Sequence, residues 1–326
     1  MRALVTGATG FVGANVVEAL NTAGHAVRAL RRPSSRLDAL LGLEFEPVVG
    51  DVLDPDSLQK AMQGCDVVFH VAGVADYWQA DRERMYQVNV EGTRYVMEAA
   101  LAAGVERVVY TSSAAALGIP YRSCPADEGQ RFNVPPDHFP YGHTKHLAEL
   151  EVEKAVCQGL PAVIVNPTVV LGPRDVNQGS AQLITGVYRQ LLPFITPGGM
   201  NVIDARDMAL GHLAAAEKGR VGERYLLGGE NLTLRRAAEI VSEVVNVPPP
   251  RFTLPRCLIR PLAWLIDLVN SLSPRPLPIT GLMLRLGAED FYYDTRKAEQ
   301  ELGLRHRPFR ETVSDTFEWL RTNGYL

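Results

Sequence analysis

The chain has 326 residues and a net charge of −4. That length suggests about two domains, and the near balance of charge gives no electrostatic case for nucleic acid or an anionic membrane. No run of about twenty apolar residues occurs, which excludes a membrane-spanning helix. Met1 leads straight into an apolar strand, so no signal peptide is expected. Cys65, Cys124, Cys157 and Cys257 are scattered without a CxxC pair, which reads as reduced thiols of a cytoplasmic protein with no metal site.

Ala3 to Val5 form a short apolar run, the pattern of a buried strand. Gly7, Gly10 and Gly13 follow at GxxGxxG spacing, and then Val16, Val17 and Leu20 repeat at helical spacing up to Gly24. Strand, glycine turn and helix in that order make a dinucleotide site. The first glycine allows the tight turn, the second lets backbone approach a pyrophosphate, and the third lets the helix pack on the strand. Unpaired N–H groups at the helix start face the phosphates.

Further strands are expected over Ala26–Leu30, Phe45–Val49, Val67–Val71, Val108–Thr111 and Ala162–Val165. Between them lie a short helix before Leu41, a helix capped by Asp54 with Pro55 at its first position, a long helix over Met85–Ala103 ended by Gly104, and a helix over Tyr141–Cys157. Strict alternation predicts right-handed crossovers and an α/β fold, a doubly wound parallel sheet of the Rossmann type. Regularity breaks after Asn166, where proline and glycine become frequent. Residues 1–167 are therefore read as the nucleotide domain, with 200–229 returning to it through expected strands at Asn201–Ile203 and Arg224–Leu227 and a helix starting near Asp207. Residues 168–199 and 230–326 form a smaller, partly helical substrate domain. Leu258–Leu272 is amphipathic and too short to span a bilayer, and reads as a packed or lid helix, with a membrane-surface helix as the alternative.

At the end of the second strand, an acid favours NAD and a base favours the 2′-phosphate of NADP. Here stand Arg31 and Arg32, followed by Ser34, Ser35 and Arg36. A forked guanidinium suits phosphate, so NADP is expected, with NAD as the alternative. Asp51 and Val52 are placed for the adenine, and Ala72 and Gly73 are small enough to lie against the cofactor. Thr111-Ser112-Ser113 ends the fifth strand, and Tyr141 and Lys145 share one helix face four residues apart. A free tyrosine titrates near about 10. A neighbouring ammonium is expected to lower that value and to hold the nicotinamide ribose, while a serine hydroxyl bonds the substrate carbonyl oxygen. The same spacing recurs at Tyr293 and Lys297, past the last sheet strand, and is read there as a structural helix start. Tyr77 and Trp78 are expected to wall the substrate pocket, with Thr168, Tyr188 and Met283–Leu286 facing them.

These motifs together resemble the extended short-chain dehydrogenases/reductases along essentially the whole chain. The matching stretches are Thr6-Gly7-Ala8-Thr9-Gly10-Phe11-Val12-Gly13, Asp51-Val52, Phe69-His70-Val71-Ala72-Gly73, Asn89 to Thr93, Thr111 to Ser113, Tyr141 with Lys145, and Asn166-Pro167-Thr168. The resemblance implies that Ser113 is the active serine with Ser112 in support, and that Asn89 helps hold the site. The chain is most similar to the dihydroflavonol-reductase-like branch, which includes bacterial members labelled hopanoid-associated sugar epimerases. Sugar-nucleotide members usually carry an aspartate at the position of Arg31, and an arginine-led Tyr-Gly segment where this chain reads Val163 to Gly172. The expected activity is therefore NADP-dependent reduction of a ketone or aldehyde, or oxidation of the alcohol, on a fairly apolar small molecule. The alternatives are an NDP-sugar epimerase or dehydratase with retained NAD, and a non-catalytic cofactor-binding sensor. A monomer or homodimer is expected.

Overall fold

The computed structural model describes residues 1–75, 81–121, 124–273, 277 and 279–326. Strand β1 (Arg2–Thr6) sends Ala3 and Val5 into one apolar core and Leu4 into another, all without exposed surface. A strand buried on both faces belongs to a parallel sheet covered by helices. Helix α1 (Phe11–Thr22) follows the glycine turn, then β2 (Ala26–Arg31), β3 (Glu46–Val49), α2 (Pro55–Met62) and β4 (Val67–His70). The Asp54 carboxylate caps α2 by accepting from the Asp56 and Ser57 amides. The long helix comes in three parts: α3 (Arg82–Tyr86), a π-turn over Gln87–Glu91, and α4 (Gly92–Ala103). Gly104 ends it in the left-handed region at φ 65°. Strand β5 (Arg107–Thr111), α5 (Pro140–Cys157) and β6 (Ala162–Pro167) complete the expected series.

The second half holds β7 (Val169–Leu171), α6 (Gln182–Tyr188), β8 (Phe194–Ile195), β9 (Gly199–Asp204), α7 (Ala205–Lys218), β10 (Arg224–Leu227), β11 (Glu230–Thr233) and α8 (Leu234–Val245). It ends with β12 (Phe252–Thr253), α9 (Arg256–Leu272), α10 (Gly281–Leu286), β13 (Asp290–Phe291), α11 (Arg296–Leu302) and α12 (Phe309–Thr322).

The main sheet runs β10-β6-β5-β4-β1-β2-β3, parallel throughout. Its order reverses between β1 and β4, the point where doubly wound sheets open a crevice for a ligand. One face is covered by α1, α7 and α11, the other by α2, α4 and α5. Of the two late strands expected with the nucleotide domain, β10 joins this sheet beside β6. The strand over Asn201–Ile203 does not. It pairs with β7, β11 and β13 in a second, four-stranded sheet. The hydrogen-bonding partners of β9 are supplied by the chain that follows β6 and β10, while α7 behind it still packs on α1. A third core gathers Ile184, Val202, Ile240, Val241 and Phe309 from this second layer, and a small fifth one joins α9 to α10.

Candidate active site

A cleft of about 720 Å³ opens along the carboxyl ends of β1, β2, β4, β5 and β6. The glycine turn forms its floor. Gly7 adopts φ 67°, and a Cβ there would lie 2.6 Å from the Ala72 amide nitrogen. A Cβ on Gly13 would lie 2.2 Å from the Gly7 carbonyl oxygen. Larger residues at either position would break the turn or push α1 off the sheet. Every residue expected to touch the cofactor lines this cleft: Gly7, Thr9, Gly10, Phe11, Val12, Gly13, Arg31, Arg32, Asp51, Val52, Val71, Ala72, Gly73, Tyr141, Lys145, Pro167 and Thr168. The dimensions and the glycine cradle fit a dinucleotide of the NAD(P) type.

Ser113, Tyr141 and Lys145 meet at the end of β5. Ser113 accepts from the Ala115 amide at 3.2 Å, which starts a short 3₁₀ turn and fixes its hydroxyl. The Tyr141 phenol shares a side-chain hydrogen bond with Ser113. Burial pushes that phenol above its ordinary value, and the Ser113 contact only offsets this. The expected lowering by Lys145 does not operate here. The Lys145 ammonium is spent on other acceptors, donating to the Thr111 carbonyl at 2.8 Å and the Tyr110 hydroxyl at 3.3 Å. Burial pulls Lys145 itself down to about 8, with Glu149 pushing back up.

Asn89 stands just behind the cleft, in the π-turn. Its Nδ2 donates to the Val74 carbonyl at 2.9 Å and to Thr144 Oγ1 at 3.0 Å, and its Oδ1 accepts from the Val74 amide at 2.7 Å. The wide turn re-aims one side chain out of an otherwise regular helix, so Asn89 braces the strand end after β4 against α5. Tyr77 and Trp78 lie outside the described residues. Tyr188 is not at the cleft: it packs edge-on against Phe317, ring centres 5.2 Å apart, because α6 faces α8 and α12. Met283–Leu286 also miss the cleft, since α10 packs on α9. Thr168 does line it.

The second Tyr-Lys pair is structural. Tyr293 is buried with Leu117 and Leu226, its hydroxyl 3.4 Å from the Ala114 carbonyl. Lys297 is held by Glu223 and the Arg224 carbonyl.

Two features beside the cleft escaped the sequence reading. The first is Glu149, one turn beyond Lys145 and fully buried. Its Oε1 accepts from Ser112 Oγ at 2.5 Å and from Asn166 Nδ2 at 2.6 Å, and Arg224 on β10 approaches Oε2 at 3.3 Å. Asn166 also donates to the Ser113 carbonyl at 2.9 Å. One carboxylate thus joins α5, the end of β5, β6 and β10 directly behind Ser113. The second is the loop after β7. Asp175 accepts from the Gly179, Ser180 and Ala181 amides and shapes this loop over the cleft. Arg174, at φ 74°, binds Glu18 with both arms and donates to the Ala39 and Leu41 carbonyls.

Residues 3–228 match the model of the NAD dependent epimerase/dehydratase family. The chain belongs to that family, the extended short-chain dehydrogenases/reductases. Within it, the relatives place the chain in the dihydroflavonol-reductase-like branch. A protein of Synechocystis provisionally named a dihydroflavonol 4-reductase is 41% identical, over 99% of this chain and 95% of that one. Sterol demethylase protein B of Methylococcus capsulatus is 34% identical over the full length of both. The crystal structure of PA4631, a nucleoside-diphosphate-sugar epimerase from Pseudomonas aeruginosa, superposes with a TM-score of 0.84 at 30% identity, covering 100% of this chain and 99% of that one. No helix among the described residues is long and apolar enough to cross a membrane, and no group of side chains among them could hold a metal ion.

Proposed function

We propose that the protein is an NADP-dependent reductase of a ketone or aldehyde on a fairly apolar small molecule, working through Ser113, Tyr141 and Lys145. The observation that carries the cofactor choice is Arg31. Its guanidinium lines the cleft at the end of β2, where Nη1 makes one long bond to the Arg32 carbonyl at 3.5 Å and Nε has no hydrogen-bond partner. The fork is thus largely free to take a charged acceptor, which a 2′-phosphate would supply. Arg32, Ser34, Ser35 and Arg36 line the same end.

The bound dinucleotide supplies hydride to the carbonyl carbon. Ser113 and Tyr141 both reach the position of the carbonyl oxygen. Ser113 donates a hydrogen bond there, and Tyr141, protonated at neutral pH like any phenol, gives up the proton as charge develops. The remaining donor of the Lys145 ammonium would hold the ribose hydroxyls. The names of the Synechocystis and Methylococcus relatives support reduction and an apolar substrate.

The similarity to the Pseudomonas epimerase supports the second reading, an NDP-sugar epimerase. Such an enzyme regenerates its NAD in every turnover and keeps it. The deciding experiment follows NADPH and NADH consumption against a panel of ketones and aldehydes, with the nucleotide content of the purified protein measured beforehand. NADPH-selective consumption that Arg31→Asp abolishes supports the reductase. Stoichiometric bound NAD without net consumption replaces it with the epimerase.

A further inference from the structure

We propose that α9 is a docking helix that lies flat on an anionic bilayer surface. The proposal stands apart from the reductase reading. Helix α9 needs only one stripe for folding: Ile259, Ala263 and Ile266 are buried against Leu284 and Ala288 of the α10 segment. Its outer side is also apolar. Leu258, Trp264, Leu265, Leu268, Val269 and Leu272 are all exposed, Trp264 by 66% and Leu272 by 76%. At the helical repeat these six positions fill one continuous arc of about 140°. A surface helix in water puts polar residues there, and a contiguous exposed apolar face of this kind marks an interaction site.

The polar residues sit on a single edge, and most of them serve the fold. Asp267 accepts from the Gly281 amide and pairs with Arg285. Asn270 bonds Leu277 and Ile279, and Arg256 pairs with Asp290. Arg260 and Arg251 are different: both are exposed and have no ion pair or hydrogen bond among the described residues. Asp290 and Asp267 neutralise Arg256 and Arg285, which leaves Arg251 and Arg260 as uncompensated positive charges beside the face among the described residues, in a chain whose net charge is −4. Whole-chain charge therefore argues against an anionic surface, while the local distribution argues for one. A second copy of this chain would set one positive rim against another, whereas anionic headgroups neutralise it. Leucines with a tryptophan on one side and free arginines at the edge are the pattern of a helix lying in the bilayer interface.

The test is co-sedimentation of the whole protein with phosphatidylcholine vesicles, with and without phosphatidylglycerol, at low and high salt. The protein should pellet with the anionic vesicles, less so at high salt, and the emission lost in Trp264→Phe should shift to the blue on binding. Leu265→Ser/Leu268→Ser should abolish binding with an unchanged unfolding midpoint, because both side chains already face solvent. Arg260→Gln should weaken binding about five-fold, the worth of one arginine near such a surface. Wild-type protein that stays in the supernatant with anionic vesicles overturns the proposal. So does equal binding to phosphatidylcholine alone. A dimer in light scattering that Leu265→Ser/Leu268→Ser dissociates also overturns it, and makes the face a contact between copies.

Discussion

Replacing Lys145 by methionine is expected to stabilise the folded protein at neutral pH while removing its activity. The ammonium is buried, and burial brings its pKa down from 10.5 to about 8. At neutral pH it is charged in both the folded and unfolded chain, so the folded state carries the whole penalty. At about 1.4 kcal/mol for each pH unit of displacement, that penalty is about 3.5 kcal/mol. Methionine removes the charge and keeps most of the stem. It also forfeits the bonds to the Thr111 carbonyl and Tyr110 hydroxyl, a loss of about 2 kcal/mol at about 1 for each. The net gain is about 1.5 kcal/mol. Its pH dependence has a definite sign. Between about 8 and 10.5 the unfolded chain binds more protons at this site than the folded one, so wild-type stability rises with pH across that window. The advantage of Lys145→Met should be full below about 8, shrink through the window and reverse above it. Urea unfolding of both proteins at several pH values measures this. A variant less stable at neutral pH, or an advantage that does not change with pH, would refute the reasoning.

Tyr141→Phe should abolish turnover and leave dinucleotide affinity, measured by calorimetry, nearly unchanged, because the phenol acts on the proton. Ser113→Ala should lower kcat by about a hundredfold, the scale for one lost donor to a developing oxyanion, while Tyr293→Phe should keep full activity. The alkaline limb of kcat/KM should fall near 8, where Lys145 loses its proton; a limb near the ordinary tyrosine value would assign it to the phenol instead. Glu149→Leu strands Ser112, Asn166 and Arg224 and should cost about 3–5 kcal/mol in denaturant unfolding. Glu149→Gln keeps the shape, should cost far less, and should move the alkaline limb to lower pH, because the carboxylate no longer supports the ammonium.

The alternation of strands and helices was legible because each element carries its own periodicity and its own punctuation. Asp54, Pro55 and Gly104 mark helix ends by local rules, and the structure uses them as expected. The glycine turn and the Tyr141–Lys145 spacing were legible for the same reason: both are short-range geometries. Glu149 was not. In the sequence it is one more charge on a helix, and only the crossovers that bring Asn166 and Arg224 beside it turn it into a buried junction. The destination of Asn201–Ile203 was missed because an apolar run specifies a strand and leaves its partner open. Tyr188 was misplaced because an aromatic near a break in the pattern looks the same whether it meets a ligand or Phe317.

The late return of β10 ties the two halves of the chain together. A fragment ending at Pro167 would contain the glycine turn, Ser113, Tyr141 and Lys145, yet it would leave β6 as a bare sheet edge, open to pairing with other chains. It would also lack Arg224, whose guanidinium approaches the Glu149 carboxylate at 3.3 Å. During synthesis the half that carries the cleft therefore stays unfinished until residue 227 has emerged, and the cleft cannot be excised with that half alone.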